Sequence, residues 1–580
     1  MKYIKCICIS LICAVFSYSL AFEGDFNYRK ACEYLDQMGE VYFKTTVNTS
    51  SDIQFVANTL SLDKIEGDNV YAYANRQEFE KFLSRKLYYE ILPHPSTIGP
   101  KPVMSDYADV TFPLFDWDTY PTYEGYQNIM EKLKTTYPDK VNYEKIGESV
   151  RGRDLLMAQV TSDVGERKQK PKFLMNAGIH GNELLPIMMV MRLIDWLCSN
   201  YESDPRATKI LDSIRLYVSP MLNPDGTYKG GDLTVFSSTR YNANNADLNR
   251  NYTRLPGLGT PSYEKETKIY MAFENAHIFV MQIGWHSGTE GISYPWSCVP
   301  RKHPDNAWYN YVSRNYANQA QDDGPSTFFD DINNGAGQGY HHLYPATGTE
   351  KDCLLFYNKC RSNCIESSTQ KVLNESKLNS YWEYHRDAML AYIQEILNGI
   401  RGTVVDEVTK VGLPAKIWVE GHDTNTDSSF VYADSSGGIG DYYRPIYEGT
   451  YDVTYSCEGC ESKTVNNIKV ENGKATVVDV ELDCGSTKLV NTVQKENGHF
   501  TVIQVNGGVK INYGEKLHLQ KAAVYNVGGK LVAVLQVNPE CDFIHWNGLN
   551  KNHQPAGSGC YLINISTDTK VYTLPFVLSE

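Results

Sequence analysis

An imidazole and a carboxylate stand three residues apart in Gly178-Ile179-His180-Gly181-Asn182-Glu183. Phe173-Leu174-Met175 before them reads as a strand, and Leu184 to Leu197 after them has helical periodicity. Side chains at i and i+3 reach one point when a turn brings them together. Imidazole nitrogen and carboxylate oxygen suit Zn²⁺, whose catalytic sites use three protein ligands and keep one position for water. Alone the pair is a weak signal, because a chain with 13 His produces such matches by chance. His286 closes the apolar run Ile278 to Trp285, ahead of Tyr294-Pro295, and offers a third ligand at a strand's end. A satisfied core histidine is the commoner role for a single residue of this kind. Asp247-Leu248-Asn249-Arg250-Asn251 sets a guanidinium beside an amide, and Arg240 lies seven residues before Asp247. Arg is the preferred bidentate partner of a carboxylate, with a solvated surface pair as the plain alternative. Asn223-Pro224-Asp225-Gly226 reads as a turn with no chemistry of its own.

These groups need a frame, and the chain is long enough to supply one several times over. Its 580 residues allow about three to five domains. Hydrophobic residues make up 42% and charged residues 21%, which gives ample core and argues against wholesale disorder. A net charge of −14 without a long basic run excludes phosphate-driven nucleic-acid binding as a leading function. Residues 1–21 read as a cleaved secretory leader: Lys2 and Lys5, an apolar core from Ile7 to Leu20, and Ser19-Leu20-Ala21 as the small-x-small site. An anchoring helix fits less well, since the apolar stretch is short and no stop-transfer charges follow; no transmembrane span is expected after cleavage. Eleven Cys then remain. Cys457 and Cys460, or Cys353, Cys360 and Cys364, are close enough for local bridges in an oxidising compartment. For Cys457 and Cys460 a disulfide or a pair of structural thiols is expected rather than a zinc knuckle. Residues 22–105 contain a β-α-β-β-α-β pattern over 38–96, with Ser51-Asp52 capping a helix through Leu60, which suggests a ferredoxin-like α+β module. Pro93, Pro95, Pro100 and Pro102 mark a linker. Residues 106–400 mix apolar strands with long helices such as Tyr381 to Leu397, the pattern of an α/β domain. Residues 401–483 and 484–580 turn all-β, with a hairpin at Gly528-Gly529 and Trp546 as a core aromatic.

Over 106–400 the motifs resemble those of the funnelin-type zinc metallocarboxypeptidases, and within them the carboxypeptidase N/E subfamily. Phe115 to Tyr123, Gly147 to Arg153, His180-x-x-Glu183, Asn223-Pro-Asp-Gly226, Asp247-x-Asn-Arg-Asn251 and His286…Tyr294-Pro295 occur in that family's order. The resemblance implies an α/β fold with a mixed-sheet metallocarboxypeptidase domain, flanked by the N-terminal ferredoxin-like module and two C-terminal all-β sandwiches. It implies one Zn²⁺ on His180, Glu183 and His286, with Asp247 fixing the tautomer of His180. Asn249 and Arg250 would hold a terminal carboxylate, and Arg240 would stabilise the oxyanion. The general base would be Glu366 in Cys364-Ile365-Glu366-Ser367-Ser368, where Ser367 replaces the usual Leu. The family's mobile Tyr, at a fixed separation upstream of that base, falls on Tyr344, twenty-two residues before Glu366. The implied activity is removal of C-terminal residues from peptides or proteins.

Two positions that set specificity in the family are Lys351, fifteen residues before Glu366, and Ser297, after Tyr294-Pro295. A pocket with Lys and no Asp repels Lys or Arg and attracts Glu or Asp, unless Lys351 turns to solvent or pairs with Glu350 or Asp352. Two other functions remain open: an amidase or carboxypeptidase acting on cell-wall peptides, and an inactive peptide-binding module. Residues 401–483 resemble the subfamily's transthyretin-like domain through Gly402-Thr-Val-Val-Asp406 and Gly440-Asp-Tyr-Tyr-Arg444. The last segment resembles the sorting tails of certain secreted bacterial proteins, through Val524-Tyr-Asn526 and Gly559-Cys-Tyr561. That implies a secreted or cell-surface protein with contacts to a secretion machinery. The 22–105 module is placed to be a propeptide covering the cleft.

Overall fold

The computed structural model describes residues 26–108 and 116–484, and within 495–578 all but short breaks at 497–499, 506–507, 514–518, 536, 538–542, 552–553, 555, 558 and 569. The leader expected over 1–21 and Phe115 lie outside the described residues. Among the described residues, no helix is long and apolar enough to cross a membrane.

The central sheet has eight strands: β1 (Val141–Glu148), β2 (Asp154–Val160), β3 (Lys172–Ala177), β4 (Arg215–Ser219), β5 (Phe279–His286), β6 (Thr289–Tyr294), β7 (Ala336–Gln338) and β8 (Arg361–Ser368). Their order is β7-β6-β8-β5-β3-β4-β2-β1. The middle strands β8, β5, β3 and β4 run parallel, while β6 against β8 and the β4-β2-β1 edge run antiparallel. Parallel strands covered on both faces need apolar residues on both. All eight residues of β5 are buried accordingly. Phe173 and Met175 of β3 face a large core under the helices Leu184–Ser199, Asn306–Asp323 and Leu378–Gln394. Leu174 faces the other core, with Tyr270 and Leu354 from the helices Lys265–Asn275 and Glu350–Asn358. The carboxyl ends of β3, β5 and β8 lie side by side, which is where open α/β sheets place ligands.

Residues 41–91 form a four-stranded antiparallel sheet, ordered Ser61–Glu66, Asn69–Ala74, Val41–Thr46, Tyr89–Ile91. With its helices Ser50–Thr59 and Arg76–Leu83 this is the expected β-α-β-β-α-β order. The cap of the first helix is Thr49, whose hydroxyl accepts from Asp52 N, rather than Ser51-Asp52. Beyond the central domain, residues 399–482 build two four-stranded sheets around Ile400, Ile417, Tyr442 and Val453. Another two sheets pack around Trp546, with Gly528-Gly529 turning the hairpin between Leu519–Asn526 and Leu531–Leu535. The cysteine pairing differs from expectation. Cys460 is bridged to Cys484, while Cys457, Cys353, Cys360 and Cys364 are free thiols. The chain returns beside Cys460 through the Glu461 N to Asp483 O bond, a long-range neighbour that local spacing does not reveal.

The first sandwich is locked to the central domain by a buried ion cluster. Asp305, ahead of the helix Asn306–Asp323, accepts from Arg361 of β8 (2.8 Å) and from Arg444 of the sandwich (2.9 Å). Arg444 also meets Asp423 at 2.7 Å, and His422 reaches Asp305 at 2.8 Å. Burial would raise the Asp305 carboxyl, but Arg444 and Arg361 hold it well below its ordinary value. Its stabilising contribution is therefore present above the unfolded value near 4 and is lost as pH falls through the folded one. Asp305→Ala leaves the buried Arg361 guanidinium without its carboxylate and Arg444 with Asp423 alone, and is expected to destabilise the fold by about 3–5 kcal/mol. Denaturant unfolding measures this; a loss under about 1 kcal/mol contradicts the assignment.

Candidate active site

Three donors meet where β3 and β5 end. Gly178 to Glu183 is the turn from β3 into the helix Leu184–Ser199, and Glu183 is the residue at that helix's N-cap. Gly181 is required by close approach, since a Cβ there would lie 2.3 Å from the Gly226-Thr227 peptide. His180 Nδ1 is 3.2 Å from His286 Nδ1, and Glu183 places Oε1 2.9 Å from the first and Oε2 2.9 Å from the second. All three residues are buried and form a group able to hold a metal ion. A tetrahedral Zn²⁺ at about 2.0–2.1 Å from each donor spaces donors about 3.3 Å apart, which matches the imidazole separation. The electrostatics fit as well. Burial and the nearby Arg240 lower His180, the direction that favours the neutral imidazole a metal needs. Burial opposes the charge on Glu183, but His180, Lys371 and His286 hold its carboxyl well below the usual range. Burial also lowers His286, yet Cys364 and Glu183 outweigh it and draw it up, so the site attracts positive charge.

The surrounding residues predicted from the sequence are brought to this point. Asp247 Oδ1 is 3.2 Å from His180 Nε2, the partner that orients a ligating imidazole. Arg240 is buried, with Nε 3.3 Å from Asp247 and Nη1 3.5 Å from Glu183. The Asn223 turn does contribute: its side-chain amide donates to Arg240 O at 3.2 Å, while Asp225 anchors the turn on Arg153. Glu366 of β8 is in register with His286 of β5. Burial pushes its carboxyl up to about 7, against the pull of His286. Ser367, in place of the usual Leu, packs by donating its hydroxyl to His286 O at 2.8 Å, so the substitution ties β8 to the ligand strand.

Beside this centre lies a pocket whose lining includes Asn249, Arg250, Tyr344, Ser297, Lys351 and Glu366. Asn249 is 3.4 Å from His286 Nε2 and accepts from Glu350 N, and Arg250 stands over the Tyr344 ring. Lys351 is buried, turned inward, and donates to Ser293 Oγ at 2.8 Å; among the described residues it has no ion pair. Asp352, its expected competitor, instead accepts the backbone N–H groups of Ser297 and Cys298. Gly339 leaves room for Ser297 and Lys351, since a Cβ there would meet Ser297 Oγ at 2.8 Å and Lys351 Nζ at 3.1 Å.

Several residues that face the site carried no sequence motif. Lys371, five residues past Glu366, is buried with Nζ 2.9 Å from Glu183 and 2.9 Å from Asp63, and donates also to Ser287 O. Asp63 belongs to the N-terminal module, whose strand Ser61–Glu66 enters the cleft. Ser61 Oγ bonds Asp247 and accepts from Arg240 Nε at 2.6 Å. Leu62 O accepts from Tyr344 OH at 2.6 Å. Glu40 accepts the backbone N–H groups of Arg240 and Tyr241. A lone Lys, Ser or Asp has no local pattern, so only the docking of the module on the central domain brings them here.

Comparison with known proteins gives the frame for this geometry. Residues 126–388 match the family described as zinc carboxypeptidase. Carboxypeptidase D of Homo sapiens is 27% identical over 382 residues, which is 62% of this chain and 26% of that protein. Carboxypeptidase SOL1 of Arabidopsis thaliana is 30% identical over 335 residues, 55% of this chain and 63% of that one. The carboxypeptidase N catalytic chain of Mus musculus is 26% identical over 441 residues, 68% of this chain and 91% of that one. This chain thus spans about a quarter of the length of carboxypeptidase D. Residues 126–388 thus match the zinc carboxypeptidase family, and within them lies the paired-histidine and glutamate centre at the ends of β3 and β5.

Proposed function

We propose that this chain is a zinc-dependent exopeptidase that hydrolyses the last peptide bond of peptides or proteins and prefers acidic C-terminal residues. The observation that carries it is the convergence of His180, Glu183 and His286 beside a buried carboxyl, Glu366, and a buried cation, Arg240. Zn²⁺ on the three ligands supplies Lewis acidity and brings the pKa of a water toward neutrality. Glu366 accepts the water's proton and returns it to the leaving amine. Arg240 meets the oxyanion that develops on the attacked carbonyl. Asn249, Arg250 and Tyr344 bind the free terminal carboxylate, which confines cleavage to the chain end. Lys351, inward and without an ion pair among the described residues, meets an acidic side chain, with Ser297 leaving room beside it.

In this reading the N-terminal module, residues 22–105, masks the cleft, and cutting within the exposed segment 98–101 releases it. Export from the cytoplasm is part of the proposal and rests on the leader-like residues 1–21. The test uses the full chain, supplied with zinc and cut by limited proteolysis within 98–101. Matched peptides end in Glu, Phe or Arg, and a fourth is amidated at its end. Release of Glu is expected to be fastest and the amidated peptide to stay intact. Cleavage of the amide ends the exopeptidase reading, and fastest release of Arg ends the acidic preference.

A further inference from the structure

The floor beneath the Lys351 pocket is a row across three neighbouring strands. Gly284 of β5 is in register with Cys364 of β8, and Cys364 with Ser293 of β6. Residues in register share a face of the sheet, and strands lie about 4.8 Å apart, so the ends of the row are on the order of 10 Å apart. A charged group stands at each end. Lys351 Nζ is over Ser293, 2.8 Å from its hydroxyl. Glu350 is over Gly284, where a Cβ would lie 3.2 Å from Glu350 Oε2. The missing side chain at Gly284 is what leaves that carboxyl facing the pocket, and Glu350 is part of the lining.

Glu350 is held there by side chains rather than by chance. Asn176 and Gln282 both donate to it from the sheet, the latter at 3.2 Å. Its buried neighbour Glu274, on the helix Lys265–Asn275, is pushed well above the ordinary range by burial and by Glu350. Burial raises the Glu350 carboxyl to about 6, against the amide groups of Asn176 and Gln282, which favour its charged form. An acidic side chain needs Lys351 alone, and the proposed exopeptidase chemistry gives Glu350 no part.

We propose that Glu350 is a second specificity-determining residue, and that the pocket takes a C-terminal residue whose side chain ends in both a carboxylate and an ammonium. The carboxylate meets Lys351 and the ammonium meets Glu350. The two groups stand over strands two spacings apart, so a side chain must present its carboxylate and its ammonium in different directions to meet both. This inference rests on the exopeptidase reading above and narrows its substrate class.

The test uses the zinc-supplied chain cut within 98–101 and four peptides that differ only in the last residue. One ends in 2,6-diaminopimelate, with both groups. One ends in 2-aminopimelate, which lacks the side-chain ammonium, one in Lys, which lacks the carboxylate, and one in Glu. The diaminopimelyl peptide is expected to have a kcat/KM about tenfold above the aminopimelyl one, with Lys slowest. In Glu350→Gln the ratio of the first two falls to about one. Equal rates in the unaltered chain overturn the proposal without needing a variant to fold. So does a ratio unmoved in a folded, active Glu350→Gln. Release of Glu with no advantage for the dipolar residue refutes this inference alone, whereas no release from any peptide refutes the exopeptidase reading and this inference with it.

Discussion

Glu366→Gln is expected to lower kcat/KM for a Glu-terminated peptide by about 10²–10⁴-fold, with one zinc per chain retained. The amide has the shape of the carboxylate but cannot take a proton from water, so the loss falls on proton transfer. Zinc stays because Glu366 is not among the three residues whose donor atoms converge. Its place is on the neighbouring strand, in register with His286 and buried. The change also removes a buried charge, so folding is expected to survive it. Metal analysis and peptide release on the same preparation make the check. A variant with more than about a tenth of normal activity means that another group is the base, and a variant that has lost its zinc means that Glu366 is a ligand.

The uncut chain is expected to be at least about 100-fold less active than the chain cut within 98–101. The strand Ser61–Glu66 uses the same groups that the proposed reaction needs. Ser61 is on Arg240 and Asp247, Leu62 O takes the Tyr344 hydroxyl, and Asp63 shares Lys371 with Glu183. Bonds to charged groups contribute about 1.5–3 kcal/mol each, and two of them outweigh the 2.7 kcal/mol that a 100-fold population difference requires. Asp63→Ala removes one such bond while Lys371 keeps Glu183, so the uncut variant is expected to rise roughly tenfold. Equal activity of cut and uncut chains contradicts masking. An uncut Asp63→Ala variant no more active than its parent shows that the Lys371 contact does not hold the module down.

Lys371 also shows why a covering module suits this site. Its ammonium sits between two carboxylates, one from each side of the cleft. Burial opposes that charge, but Asp63 and Glu183 hold its pKa above the ordinary lysine range. With the module gone the Asp63 partner is lost and the same charge faces the cleft, next to the groups proposed to bind anionic substrate ends.

The amino-acid sequence by itself determined the groups of this site whose neighbours are local or whose strand ends are apolar and plain. His180 and Glu183 lie in one turn, β3 and the helix after it announce themselves by periodicity, and His286 closes an apolar run. The module's strand and helix order was legible for the same reason: alternation and capping act over a few residues. Tertiary structure alone decided what depends on elements far apart in the chain. Lys351 turns inward onto Ser293, 58 residues away, and Asp352 is taken by the backbone of Ser297 and Cys298, 54 or 55 residues away. Cys460 bonds Cys484 rather than Cys457 because a later strand returns beside it. Ser61 and Asp63 reach the centre only through packing of one sheet on another domain, 186 residues distant in the case of Ser61 and Asp247. Local propensity carries no record of such meetings, since burial and charge select them only once the chain has closed on itself.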